Sequence, residues 1–163
     1  MLNETKKEVD LLDLKNIVES KHKIMGLDLG KKRIGVSIST SDISGALPLR
    51  TIQYSGINDL VDELSEIIKT HNVKAMVIGL PINMDGSEGK SSQSIRDKSN
   101  KILSFFKLPY CFWDERLSTA AVDRFYETSS KTRQKRINQK KDIDNLASAF
   151  ILEGALEYIK RNS

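Results

Sequence analysis

The chain has 163 residues, 39% apolar and 29% charged, with 26 Lys/Arg against 22 Asp/Glu for a net charge of +4. That composition suits one folded domain and excludes a disordered or collagen-like chain; no apolar run is long enough to cross a bilayer. The start, "MLNETKKEVDLLDLKN", is broken by charges and does not read as a secretory signal, and the one cysteine, Cys111, has no partner for an internal disulfide. Both features lead to the expectation of a cytoplasmic protein, with Cys111 a buried strand thiol.

Residues 1–23 carry five acids and five lysines around Leu11, Leu12, Leu14, Ile17 and Val18. That spacing allows a short amphipathic helix, an extension that packs on the body or stays mobile. The body, 24–163, opens on "IMGLDL", a buried strand over 24–29 with a lone acid, Asp28, near its end. "GKKR" turns the chain into a second strand, 34–39, which alternates through Ile34, Val36 and Ile38, and "ALPLRTIQY" makes a third, 46–54.

Ile57, Leu60, Val61, Leu64, Ile67 and Ile68 recur at helical spacing, which predicts a helix over 57–71. "KAMVIGL", 74–80, is a short apolar strand stopped by Pro81. The loop composition of 81–94 follows, and a helix is expected from Ser92 to Lys107. A strand over 109–115, a helix over 117–128, a basic stretch and a last helix over 142–161 complete the order. Three closely linked strands imply an antiparallel meander, and the later strand–helix alternation implies parallel crossovers. The expected fold class is α/β, a mixed five-stranded sheet flanked by helices on both faces.

Charge is unevenly spread. "KTRQKRINQKK", 131–141, holds six cations and no acid: Lys131, Arg133, Lys135, Arg136, Lys140 and Lys141. A cationic segment on a nearly neutral body points to a polyanion, although a solvated basic loop would look the same. Gly89-Lys90-Ser91 imitates the end of a phosphate loop, but that pattern needs glycine where Met84 stands, and Asp85 and Glu88 would repel a triphosphate. The loop 81–94 is instead an ordinary surface loop or a lid, with Asn83, Asp85 and Gly86 at its tip.

Acids at element ends offer a metal site: Asp28 on the first strand, Glu115 at the end of "FWDE", and Asp144 at the start of the last helix. Each has a plainer reading, respectively a lysine partner, a strand-end surface acid and a complement to the helix dipole. If they meet, two like charges about 4 Å apart repel by roughly 4 kcal/mol at an effective dielectric near 20. A compensating cation is then required. Mg²⁺ or Mn²⁺ suits oxygen ligands, whereas His22, His71 and one cysteine make a poor zinc set. Two ions about 4 Å apart would activate water and stabilise the leaving oxygen of a phosphodiester without a protein nucleophile. An actin-like ATPase also carries Asp-x-Gly on its first strand, but it needs two such domains, and this chain is too short for them.

"MGLDLGKKRIGVSIS", "VIGLPINMDGSEG", "DERLSTAAV" and "DIDNLASAFILE", in that order, resemble the YqgF family. The likeness spans roughly residues 24–160. The resemblance implies a ribonuclease H-like fold and kinship with Holliday-junction resolvases. It also implies a nuclease of the 5′ end of pre-16S ribosomal RNA, with catalytic and metal-binding acids Asp28, Glu115 and Asp144. Partners would be RNA or branched DNA, with the protein a monomer or homodimer and no membrane involved; four-way DNA and non-catalytic ribosome assembly stand as alternatives. On this reading Gly30 leaves room beside Asp28 for metal or phosphate. Arg116 contacts phosphate or orients Glu115, unless it is a surface ion pair, and 131–141 clamps the backbone. Leu146 departs from the family's frequent small residue.

Overall fold

The structure, a computed structural model, describes residues 8–17, 22–117 and 145–162. A five-stranded sheet runs in the order β3-β2-β1-β4-β5. Strands β1 (Lys23–Leu29), β2 (Arg33–Ser39) and β3 (Ala46–Gln53) form the antiparallel meander, and β4 (Val73–Leu80) and β5 (Tyr110–Asp114) join it in parallel. The expected mixed sheet is therefore present. Central β1 is mostly apolar between Lys23 and Asp28 because helices cover both its faces. Edge strand β3 tolerates Pro48, which lies where the β2–β3 register shifts after Val36.

Side-chain alternation divides the core in two. Met25, Leu27, Met76 and Ile78 face α2 (Ile57–His71) and α3 (Lys90–Leu103). Ile24, Ala75, Val77, Cys111 and Trp113 face α1 (Leu11–Ile17) and α4 (Asn145–Arg161). The α2 range matches the apolar spacing, and the helix ends on Asn72, left-handed at φ 55°. Helix α4 lies close on the sheet because Gly26 has no side chain. A Cβ there would stand 2.8 Å from the Leu152 Cβ and 3.0 Å from the Ser148 carbonyl.

Helix α3 and strand β5 differ from expectation. Helix α3 spans Lys90–Leu103 rather than 92–107; it starts straight after Gly89, and past its end the Ser104 hydroxyl donates to the Lys101 carbonyl. Strand β5 stops at Asp114, and Glu115 opens a 3-10 turn, Glu115–Leu117. The cause is local: the Asp114 carboxylate accepts the Arg116 N–H at 3.0 Å and bends the chain. The N-terminal segment is docked where it is described. Val9 N–H donates to the Tyr110 carbonyl at 2.9 Å, and Leu14 is fully buried. The helix expected over 117–128 lies outside the described residues from 118 on. Cys111 is buried, and desolvation pushes its thiol up to about 12. No helix among the described residues is long and apolar enough to cross a membrane.

Candidate active site

Alternation along the strands brings the first two acids to one face. Asp28 shares parity with Ile24 and Gly26, so it points toward α4 at the C-terminal end of β1. Glu115 shares parity with Cys111 and Trp113 and follows β5 on that same face. Strand β4 runs between them, and two strand spacings are about 9.5 Å. The longer glutamate closes part of this gap, since its Oε1 lies directly over Gly79. On the other side, Asp28 pairs in register with Gly35, which leaves its flank open.

The electrostatics agree with proximity. Glu115 is half-buried, and its pKa is raised first by desolvation, then by the negative charge of Asp28, then by Asp114. A carboxylate that is both dehydrated and repelled by a second carboxylate is a fit for a hard divalent cation. Asp28 and Glu115 are the described residues that would hold it. Among the described residues, no group of three or more His, Cys, Asp or Glu side chains converges as a metal site.

Asp144 lies outside the described residues, as do Lys131, Arg133, Lys135, Arg136, Lys140 and Lys141. What is described is the helix that follows. Ala147, in the first turn of α4, shares with Asp28, Gly30, Lys32, Arg33 and Thr51 an open depression of about 460 Å³. Ile151, one turn on, packs against Gly79. Lys32 and Arg33, on the β1–β2 hairpin, thus rim the depression. Gly30 lines that depression beside Asp28 and also lets the hairpin close, since a Cβ there would stand 2.5 Å from the Arg33 carbonyl.

Arg116 is engaged with Asp114. Its Nε and Nη2 hold Asp114, the closest contact at 2.7 Å, and Nη1 reaches the Met84 carbonyl at 3.5 Å. The surface ion pair is the arrangement present, and it keeps the Asp114 carboxyl below its ordinary range. The loop expected as a lid is closed on itself. Gly86 N–H donates to the Asn83 carbonyl at 2.8 Å, and the Asp85 carboxylate accepts from the Ser87 N–H and hydroxyl, which lowers its pKa. Gly86, at φ 89°, takes the left-handed turn beside the Arg116 guanidinium.

Two participants had no signal strong enough to single them out in the sequence. Gly79 forms the floor under Glu115; the clue was a glycine inside a strand. Lys98, on α3, donates from Nζ to the Gly30 carbonyl at 3.0 Å and ties that helix to the hairpin tip. Nothing in the helical pattern of 92–107 marked it.

A sheet in this order, with acids at the ends of its first and last strands and a helix crossing beside them, is the ribonuclease H-like fold in the form seen in junction resolvases. Solved structures agree on the fold. The chain is similar to Thermus thermophilus RuvC in complex with a Holliday junction substrate (TM-score 0.58, 12% identity, 87% of this chain and 96% of that one). It is also similar to the yeast mitochondrial Holliday junction resolvase Ydc2 (TM-score 0.55, 13% identity, 93% and 83%).

Sequence comparison narrows the class. The model of the family described as "RuvX: Holliday junction resolvase" matches residues 22–158, and the chain belongs to this family, the YqgF family of the resemblance. A Pelagibacter ubique protein named "Putative pre-16S rRNA nuclease" is 42% identical over 151 residues, covering 93% of this chain and 98% of the relative. A Bartonella bacilliformis protein of the same name is 43% identical, covering 86% of each.

Proposed function

We propose that the protein is a metal-dependent endonuclease that hydrolyses phosphodiester bonds in structured RNA, with the 5′ end of pre-16S ribosomal RNA as its substrate and the cytoplasm as its place of action. The observation that supports this reading is Glu115 lying over Gly79, its pKa raised by burial first and by the charge of Asp28 next. The RNA substrate rests on the names of the relatives, at 42% and 43% identity.

Asp28 and Glu115 would hold the divalent ions, Mg²⁺ or Mn²⁺, and Asp144 is the third acid that the sequence assigns to them. The ions, when bound, supply Lewis-acid activation of water and stabilisation of the leaving oxygen. The chain's own residues do the rest. Glu115, half-buried against Gly79 and Ile151, is fixed in direction. Lys32 and Arg33 meet phosphates at the rim, and the cations of 131–141 grip the backbone. Four-way DNA is the second reading, favoured by the resolvase description of the family.

The test is cleavage of a 5′-labelled pre-16S leader RNA and of a four-way DNA junction by one Mg²⁺- or Mn²⁺-loaded preparation. Site-specific cutting of the RNA alone is the expected result. Asp28→Asn should abolish cutting and retain binding. Identical products from wild type and Asp28→Asn with both metals would leave a binding protein with no turnover.

A further inference from the structure

The α3 surface facing the β1–β2 hairpin carries lysines that the proposed cleavage site does not use. Lys90, Lys98 and Lys101 lie on one helical stripe, at spacings that bring their side chains to a common face. With Tyr54, Gln93 and Asp97 they line an open depression of about 430 Å³. Lys98 is fixed in place. Its ammonium sits 4.5 Å from the centre of the Tyr54 ring and donates to the Gly30 carbonyl at 3.0 Å. Asp97 is the one acid lining this depression, and its carboxylate accepts from Gln93 Nε2 at 2.9 Å. Three cations therefore face one carboxylate.

The position matters as much as the charge. Gly30 belongs to the depression that holds Asp28, and Lys98 is bonded to that residue from the other side. Two extended residues and one hydrogen bond carry the path from Asp28 to Lys98, about 10 Å. From Lys90 to Lys101 the stripe spans about 16 Å, with Lys98 within it. One nucleic-acid strand places a phosphate about every 3.4 Å along its axis, so the stripe is long enough to follow several. Lysine ammoniums are compact charges that hold phosphates without reading sequence. The depression is open to solvent and rimmed by lysine side chains, unlike the enclosed cavity of a small-molecule site.

We propose that Lys90, Lys98 and Lys101 of α3 form a second phosphate-binding subsite, which carries the nucleic-acid strand on past the hairpin tip from the scissile bond. The subsite rests on the nucleic-acid reading above and extends it to residues outside the basic segment 131–141. It acts through backbone charge, so it serves affinity and register and not sequence choice.

The experiment is a salt titration of binding to a fluorescent stem-loop of the pre-16S leader, made on Asp28→Asn so that cutting does not deplete the ligand. Lys98 is left intact, because it holds the hairpin. Lys90→Ala/Lys101→Ala should lower the slope of log affinity against log salt by about 1.4 to 1.8, two contacts at about 0.7 to 0.9 each. Lys69→Ala, an exposed lysine twelve residues along α2 from Ile57 and so about 18 Å from that end of the depression, removes the same type of charge and should leave the slope alone. An unchanged slope in the double variant, an equal fall in Lys69→Ala, or no binding by the parent would each overturn the subsite. Cleavage by wild type is scored separately: binding that depends on these lysines without any cutting would sink the nuclease and keep the subsite.

Discussion

Glu115 Oε1 occupies the space that Gly79 leaves empty: a Cβ on residue 79 would stand 2.6 Å from it and 2.4 Å from Ile151 Cδ1. The bare backbone of β4 is thus what allows an acid from beyond β5 to lean toward the acid on β1. A strand glycine, an α4 side chain and a catalytic candidate share one small volume.

Gly79→Ala should therefore damage the site before it damages the fold. The added methyl must displace Glu115, Ile151 or both. Overpacking of this kind costs about 1–3 kcal/mol, and a misplacement of about 1 Å can cost about a hundredfold in rate. Denaturant melts and single-turnover cleavage would be measured together. Adding Ile151→Val should recover stability while the rate stays low; recovery of both would mean that Glu115 had never moved.

Strand identity and parity were legible from the residues. Ile24–Leu29 reads as a covered strand, and alternation puts Asp28 on the face of Ile24. The separation of Asp28 and Glu115 by a single strand was not legible, because strand order depends on how the crossovers dock. Gly79 follows from that order and was hidden with it. Lys98 was hidden because the exposed face of α3 acquires meaning only where the β1–β2 hairpin comes to rest. The early stop of β5 came from Asp114 bonding the Arg116 N–H, a choice the strand-like "YCFWDE" does not announce.

Glu115→Gln should stabilise the metal-free protein near neutral pH while abolishing cleavage. The folded-state pKa of Glu115 is raised above its ordinary 4.5, by burial first and by Asp28 next. A raised carboxyl favours the folded state fully below pH 4.5 and loses that contribution as pH rises through the folded value. Above that window the charged, dehydrated carboxylate is a burden that glutamine lacks. Thermal melts in chelator should show the variant gaining on wild type at pH 7 and matching it at pH 4. Mg²⁺ should raise the wild-type midpoint and leave the variant's nearly unchanged.

Arg116→Ala separates the ion pair from a role in binding. The pair with Asp114 is partly exposed, and such pairs contribute little to stability. A small change in melting midpoint is expected, together with weaker RNA binding at low salt. A large fall in the midpoint instead would make Arg116 a fastener of the β5 turn and the Asn83–Ser87 loop. Arg116→Lys helps here, since it keeps the charge and loses the two-nitrogen grip on Asp114.

The N-terminal segment is held by one side chain more than by its helix. Seven residues make a marginal helix in water, so burial of Leu14 against the α4 face of the core supplies much of what keeps it there. Leu14→Ala should cost about 2–5 kcal/mol, the range for deleting a fully buried leucine. Urea melts would read the loss, and hydrogen exchange at the Val9 amide, bonded to the Tyr110 carbonyl, would show whether the segment lifts from the β5 edge. Cleavage well below the new midpoint should persist, because Leu14 belongs to the apolar core and carries no group for the chemistry. A variant as stable as wild type, with Val9 still protected, would mean that the contacts of Val9 and Leu11 alone hold the segment down.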